Sequence, residues 1–163
     1  MNSNSIFELL QHVEIFNGIP TDLLKNLAGK LEQINIDSGA LIIRKGEEGN
    51  AMFVLMKGKV KIHDGEHVIA FMEQGNYFGE FSLLDEAPRS MSVSAVEEVQ
   101  LVKISRELFF ALFQGQPEVG KKIISALTRR LRSQNESIVR QLRNREAELT
   151  QLVDERTREL QLR

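Results

Sequence analysis

The sequence contains no cysteine, which excludes disulfides, thiolate metal sites and cysteine nucleophiles together. It also lacks any long apolar run. No stretch approaches the roughly 18 residues of a membrane span, and Met1 to Leu10 has no basic segment leading into an apolar one. The expectation is a cytoplasmic chain with no membrane attachment. No Ser-His-Asp order, P-loop or dinucleotide fingerprint occurs, so no catalytic residue is assigned. Of the histidines, His63 and His67 flank one predicted turn and His12 is far away, leaving no third ligand at metal spacing. No metal is expected, and both hairpin histidines are read as exposed. No basic patch bearing aromatics points to DNA or RNA, and no nucleic-acid partner is assigned.

What the chain does have is ordinary globular material. Its 163 residues, 42% hydrophobic and 27% charged, suit one domain with a short appendage. The formal charge of -2 is unevenly distributed. Residues 1–128 hold 12 basic and 17 acidic groups, whereas residues 129–163 hold 9 arginines and 6 acids. The tail alternates in sign, which reads as a solvated helix rather than a nucleic-acid arm.

Hydrophobic periodicity sets out the organisation. Ile6, Leu9, Leu10 and Val13 recur at helical spacing behind Ser5, predicting a helix over Ser5 to His12; a second follows Pro20, with Leu23, Leu24, Leu27 and Leu31 on one face. From Ile34 to Ile104 short apolar runs alternate with glycine-bearing breaks, which predicts strands. Asp64-Gly65 between Val60-Lys61-Ile62 and Val68-Ile69-Ala70 is a two-residue hairpin signal. With no helices between them, such strands build an antiparallel roll or sandwich rather than a parallel sheet. Helix returns behind Ser105, a candidate N-cap, and again after Pro117.

Beyond Thr128 a seam appears at alternating spacings of 4 and 3: Leu131, Asn135, Ile138, Leu142, Arg145, Leu149, Leu152, Arg156 and Glu159. Five of these nine positions are apolar, and one core Asn is a known device for fixing register in a dimer. A parallel dimeric stalk and a lone amphipathic helix both fit. No glycine, proline or cap closes the helix at Gln161-Leu162-Arg163, so the natural chain is expected to continue.

The chemistry is concentrated in Phe78-Gly79-Glu80-Phe81-Ser82-Leu83-Leu84-Asp85-Glu86-Ala87-Pro88-Arg89-Ser90. Binding an anion in a sheltered site takes a cation with planar donors and the backbone amides of a helix start. Arg89 supplies the first, and a short turn beginning near Phe81 and Ser82 supplies the second; Ser90 adds a hydroxyl. An ionised Glu80 only accepts, so it belongs on a hydroxyl donor such as a ribose. Asp85 and Glu86 are neighbours in a turn, point in different directions and read as solvated.

This segment resembles the phosphate-binding cassette of the cyclic-nucleotide-binding family, which includes the bacterial catabolite activator and the regulatory subunits of protein kinase A. Phe78, Gly79, Glu80, Ser82, Leu83, Leu84, Pro88, Arg89 and Ser90 match its pattern. The likeness extends outward over roughly residues 8 to 135. Met91 and Ser92 follow the pattern with a departure, and Met91 is expected to pack inward. The resemblance implies an α+β fold: an antiparallel β-roll (jelly roll) of eight strands with flanking helices and a long C-terminal coiled-coil helix. It implies a binding domain over residues 1–133 and a stalk over 134–163, truncated before an output domain. Ribose would lie on Glu80, phosphate on Arg89, Ser90 and the amides of Phe81 and Ser82, with Phe78 and Gly79 shaping the turn. Aligning the long helix puts Gln134 and Asn135 at the purine edge. The implied ligand is cAMP rather than cGMP, because cGMP-selective relatives often carry Thr where Ser90 stands. The expected protein is a regulatory module, not an enzyme, that signals as a homodimer. The alternative is a ligand-free dimerisation module in which Glu80 and Arg89 only pair with each other. Residues 152–162 also resemble, more loosely, the signalling helices that precede catalytic outputs in bacterial sensors.

Overall fold

The computed structural model describes residues 3–162. By contact the chain forms two units, one through Ile123 and one from Ile124 onward. In the first, helix α1 (Ser3–Gln11), a 3₁₀ turn (Glu14–Phe16) and α2 (Thr21–Gly29) precede the strands. Ile6 and Leu10, one turn apart, are the buried face of α1, and Leu24, Leu27 and Ala28 are that of α2. The two helices pack on each other. The 3₁₀ turn has no counterpart in the periodicity, because its two apolar residues, Ile15 and Phe16, are adjacent and set no period.

Eight strands follow: β1 (Gln33–Ile36), β2 (Leu41–Ile43), β3 (Ala51–Lys57), β4 (Val60–Asp64), β5 (His67–Met72), β6 (Tyr77–Phe78), β7 (Ser92–Ala95) and β8 (Val99–Ser105). They form two four-stranded antiparallel sheets, ordered β1-β8-β3-β6 and β2-β7-β4-β5, and with the flanking helices this is the expected β-roll. Their shared core holds Ile43, Leu55, Val60, Phe78, Val93, Ala95, Val99 and Leu101, drawn from both sheets. A fully buried Leu or Val contributes about 1.5–3 kcal/mol, so this cluster is what holds the sheets face to face. The run Met52 to Met56 reads almost continuously apolar because β3 lies between β8 and β6, with few faces left to solvent.

The β4–β5 hairpin differs by one residue from the sequence reading. Asp64 pairs with His67, so the loop residues are Gly65 and Glu66. Gly65, at φ 58, takes the left-handed first position, and a bulge at Ile62/His63 absorbs the shift. His63 is half-buried rather than exposed: Nδ1 donates to the Gly65 carbonyl at 2.8 Å and Nε2 meets Ser94 Oγ at 2.7 Å.

After β8 the chain turns into α4 (Arg106–Ala111), capped as expected by Ser105, whose hydroxyl accepts from the Leu108 amide at 3.2 Å. Helix α5 runs from Pro117 to Gln161. The second unit consists of its length beyond Ile123, and there Leu131, Ile138, Leu142, Leu149 and Leu152 are all exposed. No helix is long and apolar enough to cross a membrane among the described residues.

Gly58 makes the β3–β4 turn at φ 95, and a Cβ there would stand 2.5 Å from the Glu98 carbonyl oxygen. Gly65 has a positive φ but open space around it. Gly58→Ala should therefore lower unfolding free energy by about 2 kcal/mol or more, and Gly65→Ala by only about 1 kcal/mol. Urea denaturation of both variants measures this, and equal losses would mean the Glu98 contact is not limiting.

Candidate functional site

The site grows out of the end of β6. Phe78 pairs with Phe53 across the β3–β6 ladder, and their rings stack at 5.4 Å, which fixes where the chain leaves the sheet. Gly79 follows at φ 82. A Cβ there would lie 2.7 Å from Nη1 of Arg89 and 3.2 Å from the Ala51 carbonyl oxygen, so the position requires glycine twice over. Glu80 comes next, only 3% exposed, and leads into α3 (Phe81–Leu84). The amides of Leu83 and Asp85 donate back to the carbonyls of Glu80 and Phe81, each at 3.1 Å. The amides of Phe81 and Ser82 precede the first of these bonds, as the leading N–H groups of any helix do. Leu83 is buried, and α3 packs on β3.

Arg89 approaches from the other side. Its amide donates to the Glu47 carbonyl, and its own carbonyl accepts from the Gly46 amide, both at 2.8 Å. The Lys45-Gly46-Glu47 turn and the Pro88-Arg89-Ser90 segment are thereby tied together. The side chain then passes over Gly49, where a Cβ would stand 2.3 Å from Nε and 2.4 Å from Cζ. Nη1 donates to the Gly79 carbonyl at 2.9 Å and Nη2 to the Ala51 carbonyl at 2.7 Å. Partial burial pushes the guanidinium's pKa down, the Glu80 carboxylate pushes it up, and Arg106 lowers it again. An arginine starts so high that it stays charged throughout. The buried carboxylate and the half-buried guanidinium thus offset each other.

Arg106, first residue of α4, braces the same place. Its Nη2 donates to the carbonyls of Gly49 at 3.0 Å and Ser82 at 2.6 Å, and its amide donates to Asn50 at 2.8 Å. One cation therefore joins the Gly49 loop to α3.

Of the residues singled out in the sequence, Phe78, Gly79, Glu80, Phe81, Ser82 and Arg89 come together here, around Gly49 and Ala51. Ser90 is exposed next to Arg89. Met91 is half-buried, and Ser92 is buried with its hydroxyl accepting from the Lys45 amide at 2.9 Å. Gln134 and Asn135 belong to the second unit and are exposed on α5. Asp85 and Glu86 are exposed, Asp85 accepting from the Ala87 amide at 3.3 Å in a local turn.

Glu47, Gly49, Ala51 and Arg106 were not legible as parts of the site. Gly49 reads in the sequence as one more glycine break between strands; that it lacks a positive φ and is closely approached by Arg89 is visible only in the structure. Arg106 did leave a trace, as a cation in a first helical turn opposes the helix dipole and so suggests a role elsewhere. The arrangement can bind a compact anion through the arginine fork and accept from a hydroxyl at Glu80. Among the described residues, no group of three or more His, Cys, Asp or Glu could hold a metal ion.

Comparison with known proteins places the chain in a family. Residues 33–116 match the family model of the cyclic nucleotide-binding domain. The chain is 29% identical over 136 residues to the CRP-like cAMP-activated global transcriptional regulator of Mycobacterium tuberculosis, covering 80% of this chain and 61% of that one. It is 38% identical over 107 residues to human cGMP-dependent protein kinase 2, covering 61% of this chain and 14% of the kinase. The crystal structure of the Thermus thermophilus catabolite activator protein is similar, with a TM-score of 0.67 and 32% identity over 77% of this chain and 61% of that chain. The chain spans less than two thirds of the length of these relatives.

Arg106→Ala should release the Gly49 loop from α3 and lower unfolding free energy by about 1–3 kcal/mol, through the loss of charge-assisted bonds to two carbonyls. Faster hydrogen exchange at Leu83 and Asp85 should accompany it. Unchanged stability and exchange would show that α3 is held by Leu83 packing alone.

Proposed function

The chain belongs to the cyclic nucleotide-binding domain family, and on that premise we propose that it is a cytoplasmic, cAMP-responsive regulatory module that passes occupancy through a dimeric α5 to an output domain. The observation that carries this is the pairing of Arg89, gripped between Gly49 and Gly79, with a Glu80 that is almost fully buried. A cyclic phosphodiester is a monoanion and its ribose offers a hydroxyl, so the two side chains match the two halves of the ligand. Two of the five guanidinium N–H groups bond the Gly79 and Ala51 carbonyls, which holds the fork in orientation before ligand arrives. The amides of Phe81 and Ser82 and the Ser90 hydroxyl complete the phosphate contacts. Residues 1–133 act as the binding domain and 134–163 as the stalk.

Phosphate and ribose are common to cAMP and cGMP, so the cassette does not choose between them. We assign base reading to Gln134, with Asn135 beside it, whose amides can accept from adenine N6 and donate to N1. Ser90, in place of the Thr frequent in cGMP-selective relatives, favours cAMP. The mycobacterial relative is described as cAMP-activated, which supports the same choice. Ligand shifts the protein only by its preference for one of two states. A ligand-free module is the second reading, favoured by the two carbonyls that already occupy Arg89.

Calorimetric titration separates the two readings: a chain that binds neither cAMP nor cGMP would sink the proposal. Arg89→Ala should weaken cAMP binding about a hundredfold, roughly 3 kcal/mol, because the phosphate keeps its desolvation cost and loses its fork. Glu80→Gln should cost less, and its effect should shrink for a 2'-deoxy ligand; equal losses with both ligands would remove the ribose from Glu80.

Competition between nucleotides tests the base assignment. cAMP should bind at least about tenfold more tightly than cGMP, or about 1.4 kcal/mol, and Gln134→Ala with Asn135→Ala should narrow the gap. A higher affinity for cGMP would overturn the choice of ligand.

A further inference from the structure

We infer that α5 pairs with a second copy of this chain, parallel and in register, along a face that repeats every 11 residues rather than along a heptad seam. The inference rests on the dimeric reading above and specifies its geometry. In steps of 11, Leu131, Leu142 and Val153 fall in one row, and Ile138, Leu149 and Leu160 in a second. All six are apolar and 48% to 64% exposed in a single copy. At about 3.67 residues per turn the Ile138 row lies on one side of the Leu131 row, and a third row, Asn135, Glu146 and Thr157, lies on its other side.

The heptad through the same helix fits less well. It puts Arg145, Arg156 and Glu159 in the seam, and in a parallel homodimer each would face its own copy. Like charges in close opposition destabilise a pairing. In the 11-residue frame these three leave the centre. Arg156 and Glu159 instead bond each other at 3.4 Å along the helix, on the flank. Thr157 is compatible with the third row, because its hydroxyl donates to the Val153 carbonyl at 2.8 Å and leaves no donor unpaired.

Charge complementarity selects a second copy as the occupant. At about 3.67 residues per turn, Arg145 lies on one side of the inner face and Glu146 on the other. A two-fold axis then sets Arg145 of each copy beside Glu146 of the other, so the one charged layer of the face neutralises itself. An antiparallel pair centred on the same charged layer would instead bring same-side residues together, Arg145 beside Arg145 and Glu146 beside Glu146. The period has a consequence for shape: 11-residue repeats favour a right-handed supercoil, heptads a left-handed one.

Because the chain has no cysteine, single substitutions report the seam directly. Leu142→Cys, Val153→Cys, Leu160→Cys, Leu152→Cys and Glu159→Cys are exposed positions, each introduced separately into the full chain and oxidised mildly. Leu142→Cys lies in both seams. Val153→Cys and Leu160→Cys should form disulfide dimers at least about tenfold faster than Leu152→Cys and Glu159→Cys, since only facing positions meet the distance a disulfide needs. The reverse order would establish a heptad and overturn the inference while leaving the dimer intact. No cross-linking at Leu142→Cys, with a monomer by sedimentation of the unmodified chain at micromolar concentration, would overturn the dimeric reading itself.

Discussion

The structure turns on the grip around Arg89. Its backbone is tied in both directions to Gly46 and Glu47, and its guanidinium is tied to the carbonyls of Gly79 and Ala51. Those bonds join four separate pieces of chain: the β2–β3 connection, the start of β3, the turn after β6 and the segment before β7. Apart from β3, which is paired on both edges, none of the pieces has enough regular structure to hold its own position. β6 has two residues and α3 has four, well below the length at which a strand or helix persists alone. The cation organises them, and Arg106 fastens the same loop to α3 from the opposite side.

Two glycines make that grip possible, each for its own reason. Gly79 needs its left-handed backbone to turn out of β6, and it also lets Arg89 approach the carbonyl beneath. Gly49 needs no unusual backbone; it is glycine because the arginine side chain occupies the space a Cβ would fill. Burying a carboxylate at Glu80 in such a place is costly unless a cation stands nearby, and Arg89 meets that need. The same pair therefore sets a carboxylate and a guanidinium of opposite charge side by side at the turn.

The stalk follows a different logic. Its apolar residues are largely exposed in one copy, so its helix has no core of its own to order it. Intrahelical contacts such as Arg156 to Glu159 and Gln151 to Glu155 each supply only a few tenths of a kcal/mol. A long helix of this kind gains most of its stability from packing against another apolar face. The period of that face governs the supercoil, and a change in how two copies pack is a route by which occupancy of a distant site can be passed along a helix.

The sequence by itself determined the type of nearly every element. Short apolar runs between glycine breaks gave strands from Ile34 to Ile104, Ser105 and Pro117 marked two helix starts, and Phe78 to Ser90 carried the candidate site because its key residues are close in the chain. These are local signals: turn chemistry, capping and periodicity act over a few residues and leave their mark in the order of amino acids. The hairpin loop shifted by one residue, to Gly65 and Glu66, because register is a joint property of two strands and the bulge at Ile62/His63. Only the tertiary structure decided what surrounds Arg89. Ala51 lies 38 residues earlier in the chain, and Gly49 and Arg106, bonded to each other, lie 57 apart. Contacts at such separations depend on how the two sheets close over their common core, and no local pattern encodes which carbonyl will lie under a guanidinium once they have closed.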